Sequence, residues 1–179
     1  MSWNPDLYQK ALNFAAKAHQ KQHIPGGEIP YVTHVCNVCM EAVHATLQSP
    51  KEDIDLVMQC ALLHDTIEDT EVKYEDVARA FGQQVADGVL ALTKDFELPK
   101  EEQMADSLKR ILEQPAAVRI VKMADRINNL SDPPHYWTKE KRQKYQIEAS
   151  TILEKLGGVN AIIESRLFLK IQRYSDYIK

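Results

Sequence analysis

The sequence predicts an all-α protein. Apolar residues recur three and four positions apart through nearly every segment, strand-like alternation is almost absent, and Pro or Gly breaks fall at helix-length intervals. The first helix is expected over Asp6 to His19, with Leu7, Ala11, Leu12, Phe14, Ala15 and Ala18 at helical spacing. His23-Ile24-Pro25-Gly26-Gly27-Glu28-Ile29-Pro30 breaks it and reads as a loop. A second helix starts near Tyr31, carries His34, Val35, Val38, Val43 and Leu47, and stops at Ser49-Pro50. Lys51 to Ile67 is expected to form the next as one continuous helix.

Thr70 to Tyr74 reads as a connector, Glu75 to Phe81 as a short helix stopped by Gly82, and Val85 to Leu92 as the start of another. A loop through Pro99 spans Asp95 to Lys100, and Glu101 to Leu112 is a polar-faced helix. Pro115 suits the first turn of a helix over Ala116 to Leu130, which Asp132-Pro133-Pro134 ends. Thr138 to Leu156 is a long helix stopped by Gly157-Gly158, and Val159 to Ile178 is the last. The count is about eight to ten helices. With no repeat, low-complexity segment or linker, residues 1–179 are expected to form a single domain.

A hydrophobic share of 44% over 179 residues suits a globular core without disulfides. The balance of 22 basic to 26 acidic residues, net −4, argues against general nucleic-acid binding but not against a small anionic ligand. Met1-Ser2-Trp3-Asn4-Pro5-Asp6 shows no secretory leader pattern, and no apolar run approaches the ~20 residues of a membrane span, so a cytoplasmic protein without membrane partners is expected. Cys36, Cys39 and Cys60 are an odd, sparse set that fits a reducing compartment. Cys36 and Cys39 have C-x-x-C spacing, but no second Cys/His pair follows at zinc-site spacing, so they read as small buried hydrophobes.

The chemistry concentrates in Ala61-Leu62-Leu63-His64-Asp65-Thr66-Ile67-Glu68-Asp69-Thr70. On one helix, His64, Asp65, Glu68 and Asp69 would span roughly 140° of surface directly after an apolar run. Buried charges are costly unless paired or metal-bound, and a divalent cation is the simplest common partner for them. A second polar cluster lies in Val118-Arg119-Ile120-Val121-Lys122-Met123-Ala124-Asp125-Arg126-Ile127-Asn128-Asn129-Leu130, where Asn129 follows Asp125 by one turn on the same face. Taken alone, Asp125 reads equally as a surface residue or an ion-pair partner of Arg126 or Lys122. His34 in Pro30-Tyr31-Val32-Thr33-His34 reads, alone, as a packed or capping residue.

Together the order of a lone His, an adjacent His-Asp and a later Asp resembles the HD-domain metal-dependent phosphohydrolases. The Pro30–His34, Ala61–Thr70, Phe81-Gly82 and Val121–Leu130 segments are more closely similar to the hydrolase domain of RelA/SpoT homologues. Within that family they resemble the small stand-alone alarmone hydrolases, among them the metazoan SpoT homologue. The resemblance spans roughly residues 5–160 and implies a compact multi-helix HD-domain fold. It implies His34, His64, Asp65 and Asp125 as ligands of Mn²⁺, a metal that mixed imidazole and carboxylate donors suit, though Zn²⁺, Fe²⁺ and Co²⁺ accept the same set. It further implies Glu68 and Asp69 as the residues that position or deprotonate the attacking water, and Asn129 as a substrate contact. Phosphate-holding positions fall on Lys100 and on Lys141, Arg142 and Tyr145, each of which taken singly reads as an ordinary surface charge or a packed ring.

Relatives carry a basic pair in the loop before the first ligand; here His23-Ile24 occupies it, with Lys21 nearby, which makes His23 the nucleobase-side candidate. Val35 stands where relatives have Pro. The implied function is Mn²⁺-dependent removal of the 3′-pyrophosphate from guanosine tetra- and pentaphosphate alarmones, giving GDP or GTP and pyrophosphate. Two alternatives stay open: an HD-domain phosphatase for another nucleotide, such as an adenine alarmone or NADPH, and a catalytically silent nucleotide-binding module.

Overall fold

A computed structural model describes residues 3–179; Met1 and Ser2, part of the stretch read as lacking a leader, lie outside the described residues. Among the described residues there are ten α-helices and one 3₁₀ turn: α1 Pro5–Ala18, α2 Val32–Gln48, α3 Ile54–Leu63, α4 Thr66–Asp69, α5 Tyr74–Phe81, α6 Gln83–Leu92, α7 Gln103–Leu112, α8 Ala116–Asn129, α9 Lys139–Leu156, α10 Ala161–Tyr174 and the turn Ser175–Tyr177. The chain is all-α, as its periodicity predicts, and the expected long last helix tightens into the 3₁₀ turn after Tyr174. Among the described residues no helix is long and apolar enough to cross a membrane.

Local chemistry explains where the helices start. Asn4 caps α1 by accepting from Asp6 N–H, with Pro5 at the first helical position; Asp53 accepts from Asp55 and Leu56 N–H to cap α3; Asn160 does the same for α10 through Ile162 and Ile163. Gly82, at φ +88°, is the single residue that ends α5 and turns the chain into α6.

Two helices form the centre. In α3 every residue except Asp55 is buried, which accounts for its continuous apolar run; it packs against α1, α2, α6 and α8. Helix α8 buries Val118, Ile120, Val121, Met123, Ala124 and Ile127 and packs against α2, α3, α6, α7, α9 and α10. Helices α2, α3 and α8 therefore meet one another pairwise, and the candidate site forms where the first turn of α2 faces the last turns of α3 and α8.

One expectation is corrected here. Lys51 to Ile67 is not a single helix: α3 ends at Leu63, His64 and Asp65 form a turn with Asp65 at φ −100°, ψ 0°, and α4 restarts at Thr66. The break has a local cause. His64 Nδ1 bonds Ala61 C=O at 2.8 Å and Thr66 Oγ1 donates to Leu63 C=O at 2.7 Å, so side chains satisfy carbonyls that a continuing helix would give to backbone N–H groups. His64, Asp65, Glu68 and Asp69 consequently do not share one continuous helical arc.

Candidate active site

The site begins with two buried imidazoles. His34 is 4% exposed in the first turn of α2, His64 is 2% exposed after α3, and Asp125 is 7% exposed on α8. One donor atom from each lies within 4.8 Å of the other two. Nε2 of His34 is 3.5 Å from Asp125 Oδ1 and 3.6 Å from Asp65 Oδ2; Nε2 of His64 is 3.7 Å and 3.0 Å from the same atoms. Asp65 thus reaches both rings, although the mutually close set consists of His34, His64 and Asp125.

The opposite ring nitrogens decide the tautomers. His64 Nδ1 faces Ala61 C=O, which can only accept, so Nδ1 carries the hydrogen and the lone pair sits on Nε2. His34 Nδ1 lies 2.7 Å from Asn128 Oδ1 and is arranged in the same way. Among the described residues both Nε2 atoms are buried without a hydrogen-bond partner, and they converge on two carboxylates. Unpartnered buried nitrogens aimed at carboxylate oxygens, each backed by an orienting acceptor, are the arrangement of a metal-ligating histidine pair. The residues present fit a divalent metal.

The charges reinforce one another. Burial works against His64 protonation, but Asp65 and Asp125 outweigh it and raise its pKa well above the ordinary value. Burial likewise opposes ionisation of Asp125, yet Lys122, with Nζ 3.3 Å from Oδ2, and the two imidazoles hold its carboxyl well below the usual range. Asp65 is lowered despite burial, chiefly by His64. Tyr31 donates to Asp65 Oδ2 at 2.5 Å, and Asn129 Nδ2 donates to Asp125 Oδ1.

Glu68 and Asp69 differ in their surroundings. Lys94 donates to both oxygens of Glu68, from its backbone N–H at 2.8 Å and from Nζ at 2.6 Å. Asp69 has one neutral donor, Gln22 Nε2, at 2.9 Å from Oδ2. Burial, then the charge of Asp65, raises the Asp69 pKa above the usual carboxylate value.

A cleft of about 740 Å³ opens over these groups. It is lined by Asp65, Glu68, Asp69 and Asp125 and by Lys100, Lys141 and Lys144, with Asn129, Tyr145, Glu140 and Glu148 also lining it. Arg126 lies over the Tyr145 ring at 4.1 Å, and Lys141 Nζ over Trp137 at 4.2 Å. Two expected substrate residues sit elsewhere. Arg142 donates from Nη1 to Tyr177 C=O at 3.0 Å, toward the C-terminal turn, and His23 pairs with Pro30 in an isolated bridge; neither lines the cleft. A second cavity of about 760 Å³, between Leu130 and the C-terminal turn, holds none of the expected residues.

The sequence does not mark Tyr31, Asn128, Lys94 and Gln22 as partners in this site, whereas Lys122 pairs with Asp125 as its spacing allows. Asn128 stands beside the more conspicuous Asn129, and Tyr31 reads from the sequence only as a helix start. Gln22 and Lys94 reach carboxylates 47 and 26 residues away, so no local spacing marks them.

A family model described as HD domain matches residues 11–162. The guanosine-3′,5′-bis(diphosphate) 3′-pyrophosphohydrolase MESH1 of Drosophila melanogaster is 34% identical over 167 residues, 89% of this chain and 90% of that protein. Its Homo sapiens namesake is 33% identical over 163 residues, 88% and 89% of the two chains. A solved structure described as a metazoan ortholog of SpoT that hydrolyzes ppGpp superposes with a TM-score of 0.83 at 30% identity, over 97% of this chain and 98% of that one.

Proposed function

The chain belongs to the HD-domain family, and from that premise we propose that it is a metal-dependent 3′-pyrophosphohydrolase of guanosine 3′,5′-bis(diphosphate) and its pentaphosphate counterpart. The reading takes Mn²⁺ as the metal, residues 1–179 as a single hydrolase domain, and the cytoplasm as its place of action. One observation carries it: relatives so named match about nine-tenths of both chains, and this chain's histidine–carboxylate cluster adjoins a cleft that Lys100, Lys141 and Lys144 also line.

In this reading His34, His64, Asp65 and Asp125 hold the ion. A divalent ion there supplies Lewis acidity toward water and toward a phosphoryl oxygen. Lys100, Lys141 and Lys144 line the cleft and offer charge to a polyphosphate. Asn129 borders both the cluster and the cleft, where it contacts the nucleotide. Glu68, fixed at both oxygens by Lys94, orients the attacking water, and Asp69, held by one amide, accepts its proton. The bond between the ribose 3′ oxygen and phosphorus breaks, the water oxygen ends on pyrophosphate, and a proton ends on the 3′ oxygen.

The test is incubation of purified protein with guanine and adenine 3′-pyrophosphorylated nucleotides, NADPH and ordinary nucleotides in Mn²⁺, with products resolved by chromatography. Intact pyrophosphate and GDP are expected, activity is lost on chelation, and Mn²⁺ restores it better than Mg²⁺, which prefers oxygen-only shells. Release of single orthophosphates or loss of the 5′ phosphates would replace this reading with a phosphatase. Full turnover in metal-stripped protein would remove the metal from it.

A further inference from the structure

Asp69 is tied to the end of α1 and the loop after it, 47 residues away in sequence. Its Oδ2 accepts from Gln22 Nε2 at 2.9 Å, and among the described residues no protein donor reaches Oδ1. The other end of the Gln22 amide, Oε1, lies 2.6 Å from His19 Nδ1. An ionised carboxylate only accepts, so the amide nitrogen must face Asp69 and the amide oxygen must face His19. His19 Nδ1 therefore carries the imidazole hydrogen. The direction of donation through the relay is fixed: His19 to Gln22 to Asp69.

The relay is rigid at each link. His19 is 3% exposed; its backbone N–H closes α1 on Ala15 C=O at 2.9 Å, and its ring lies against Tyr31 with centroids 4.9 Å apart. Among the described residues its Nε2 is buried without a partner, so the bond to Gln22 is the ring's one polar engagement there. Gln22 is held along its backbone as well, donating to His19 C=O and accepting from Tyr31 N–H, both at 2.9 Å. Tyr31 itself donates to Asp65, so the ring that packs on His19 also touches the metal cluster.

We propose that Gln22, held in register by buried His19, is a positioning residue for Asp69, fixing one carboxylate oxygen so that the other accepts from the attacking water. The proposal rests on the reading of Asp69 as part of the water-handling pair. A free aspartate at a cleft edge samples several rotamers; the Gln22 bond selects one. Gln22 acts through Asp69 alone, so substrate and metal affinity should be nearly insensitive to it.

Four variants of the full chain test this with guanosine 3′,5′-bis(diphosphate) as substrate. Gln22→Met keeps side-chain length at a half-buried position but removes the donor. His19→Phe keeps the ring against Tyr31 but removes Nδ1–H, whereas His19→Asn keeps an N–H at the Nδ1 position. Gln22→Met and His19→Phe should lower kcat by about ten- to a hundredfold, the scale of one hydrogen bond to a charged group, with KM and metal content within about twofold of the parent. His19→Asn should recover most of the loss. In an Asp69→Asn background, Gln22→Met should have no further effect on kcat. A slowly exchanging imidazole N–H resonance from His19 should appear in the parent and vanish in Gln22→Met, which reports the relay independently of turnover.

Multiplicative losses for the Gln22 and Asp69 variants, or parent-like kcat for Gln22→Met beside a disabled Asp69→Asn, overturn the relay alone. A parent-like kcat for Asp69→Asn brings down the water-handling reading and the positioning role together. A general fall in Tm and metal content without a selective kcat effect reduces His19 and Gln22 to structural residues.

Discussion

Replacing Asn128 by Leu should weaken metal binding by about 10- to 100-fold without touching a ligand. Asn128 follows Asp125 by three residues, so one helix supplies both a ligand and the group that orients His34, from 94 positions away in sequence. Its Oδ1 accepts from His34 Nδ1 at 2.7 Å, which keeps the Nε2 lone pair aimed at Asp65 and Asp125. Leu matches Asn in bulk but accepts nothing, so a buried N–H is left unsatisfied, a cost of roughly 1–3 kcal/mol. Loss of such an orienting partner typically lowers metal affinity by about 10–100-fold, which corresponds to about 1.4–2.7 kcal/mol. The two routes agree in scale. The assay is competition between protein and a fluorescent chelator for Mn²⁺, on the parent, Asn128→Leu and Asn128→Asp. The Asp variant keeps an acceptor and should bind at least as well as the parent. An unchanged dissociation constant for Asn128→Leu would refute the claim that this bond sets the His34 tautomer.

Glu68→Gln and Asp69→Asn should keep near-parent metal content and substrate affinity while losing at least about 10²-fold in kcat; Asp65→Asn should lose the metal itself, and parent-like turnover in the first two would reduce the pair to a solvated helix end. Because Asp65 and Asp125 raise the His64 pKa well above its ordinary value, protons compete with metal for its Nε2. Metal affinity should therefore rise with pH until the pH passes that raised pKa, and calorimetry in two buffers of different ionisation enthalpy should show proton release at pH 7. Gly88→Ala should destabilise the fold, since the added Cβ would lie 2.9 Å from Cys60 Sγ and 3.1 Å from Val118 Cγ2. Overpacking of about 1–3 kcal/mol exceeds the helix-propensity gain of up to about 1 kcal/mol. Denaturant titration checks this, and Cys60→Ala in the same chain should recover part of the loss.

The amino-acid sequence alone determined the helices and most of their ends, because helix periodicity, Asn and Asp caps, and Pro or Gly breaks act over a turn or two of chain. Through the resemblance that their order along the chain carries, it also marked His34, His64, Asp65, Glu68, Asp69 and Asp125 as a candidate set. The turn at His64-Asp65 was not legible: an apolar run predicts a continuing helix, and only the competition of His64 and Thr66 side chains for carbonyls breaks it. Nor were the groups that orient the set. Asn128 on His34, Lys94 on Glu68, Tyr31 on Asp65 and Gln22 on Asp69 are pairs made by helix packing across 26 to 94 residues. The direction of Arg142, toward Tyr177 C=O instead of the cleft, was decided in the same way. Spacing along a helix states which face a side chain leaves from, but the atom it meets depends on which helices pack against that face. Tertiary packing alone supplies that second partner, and with it the ring tautomers and carboxylate orientations on which the chemistry depends.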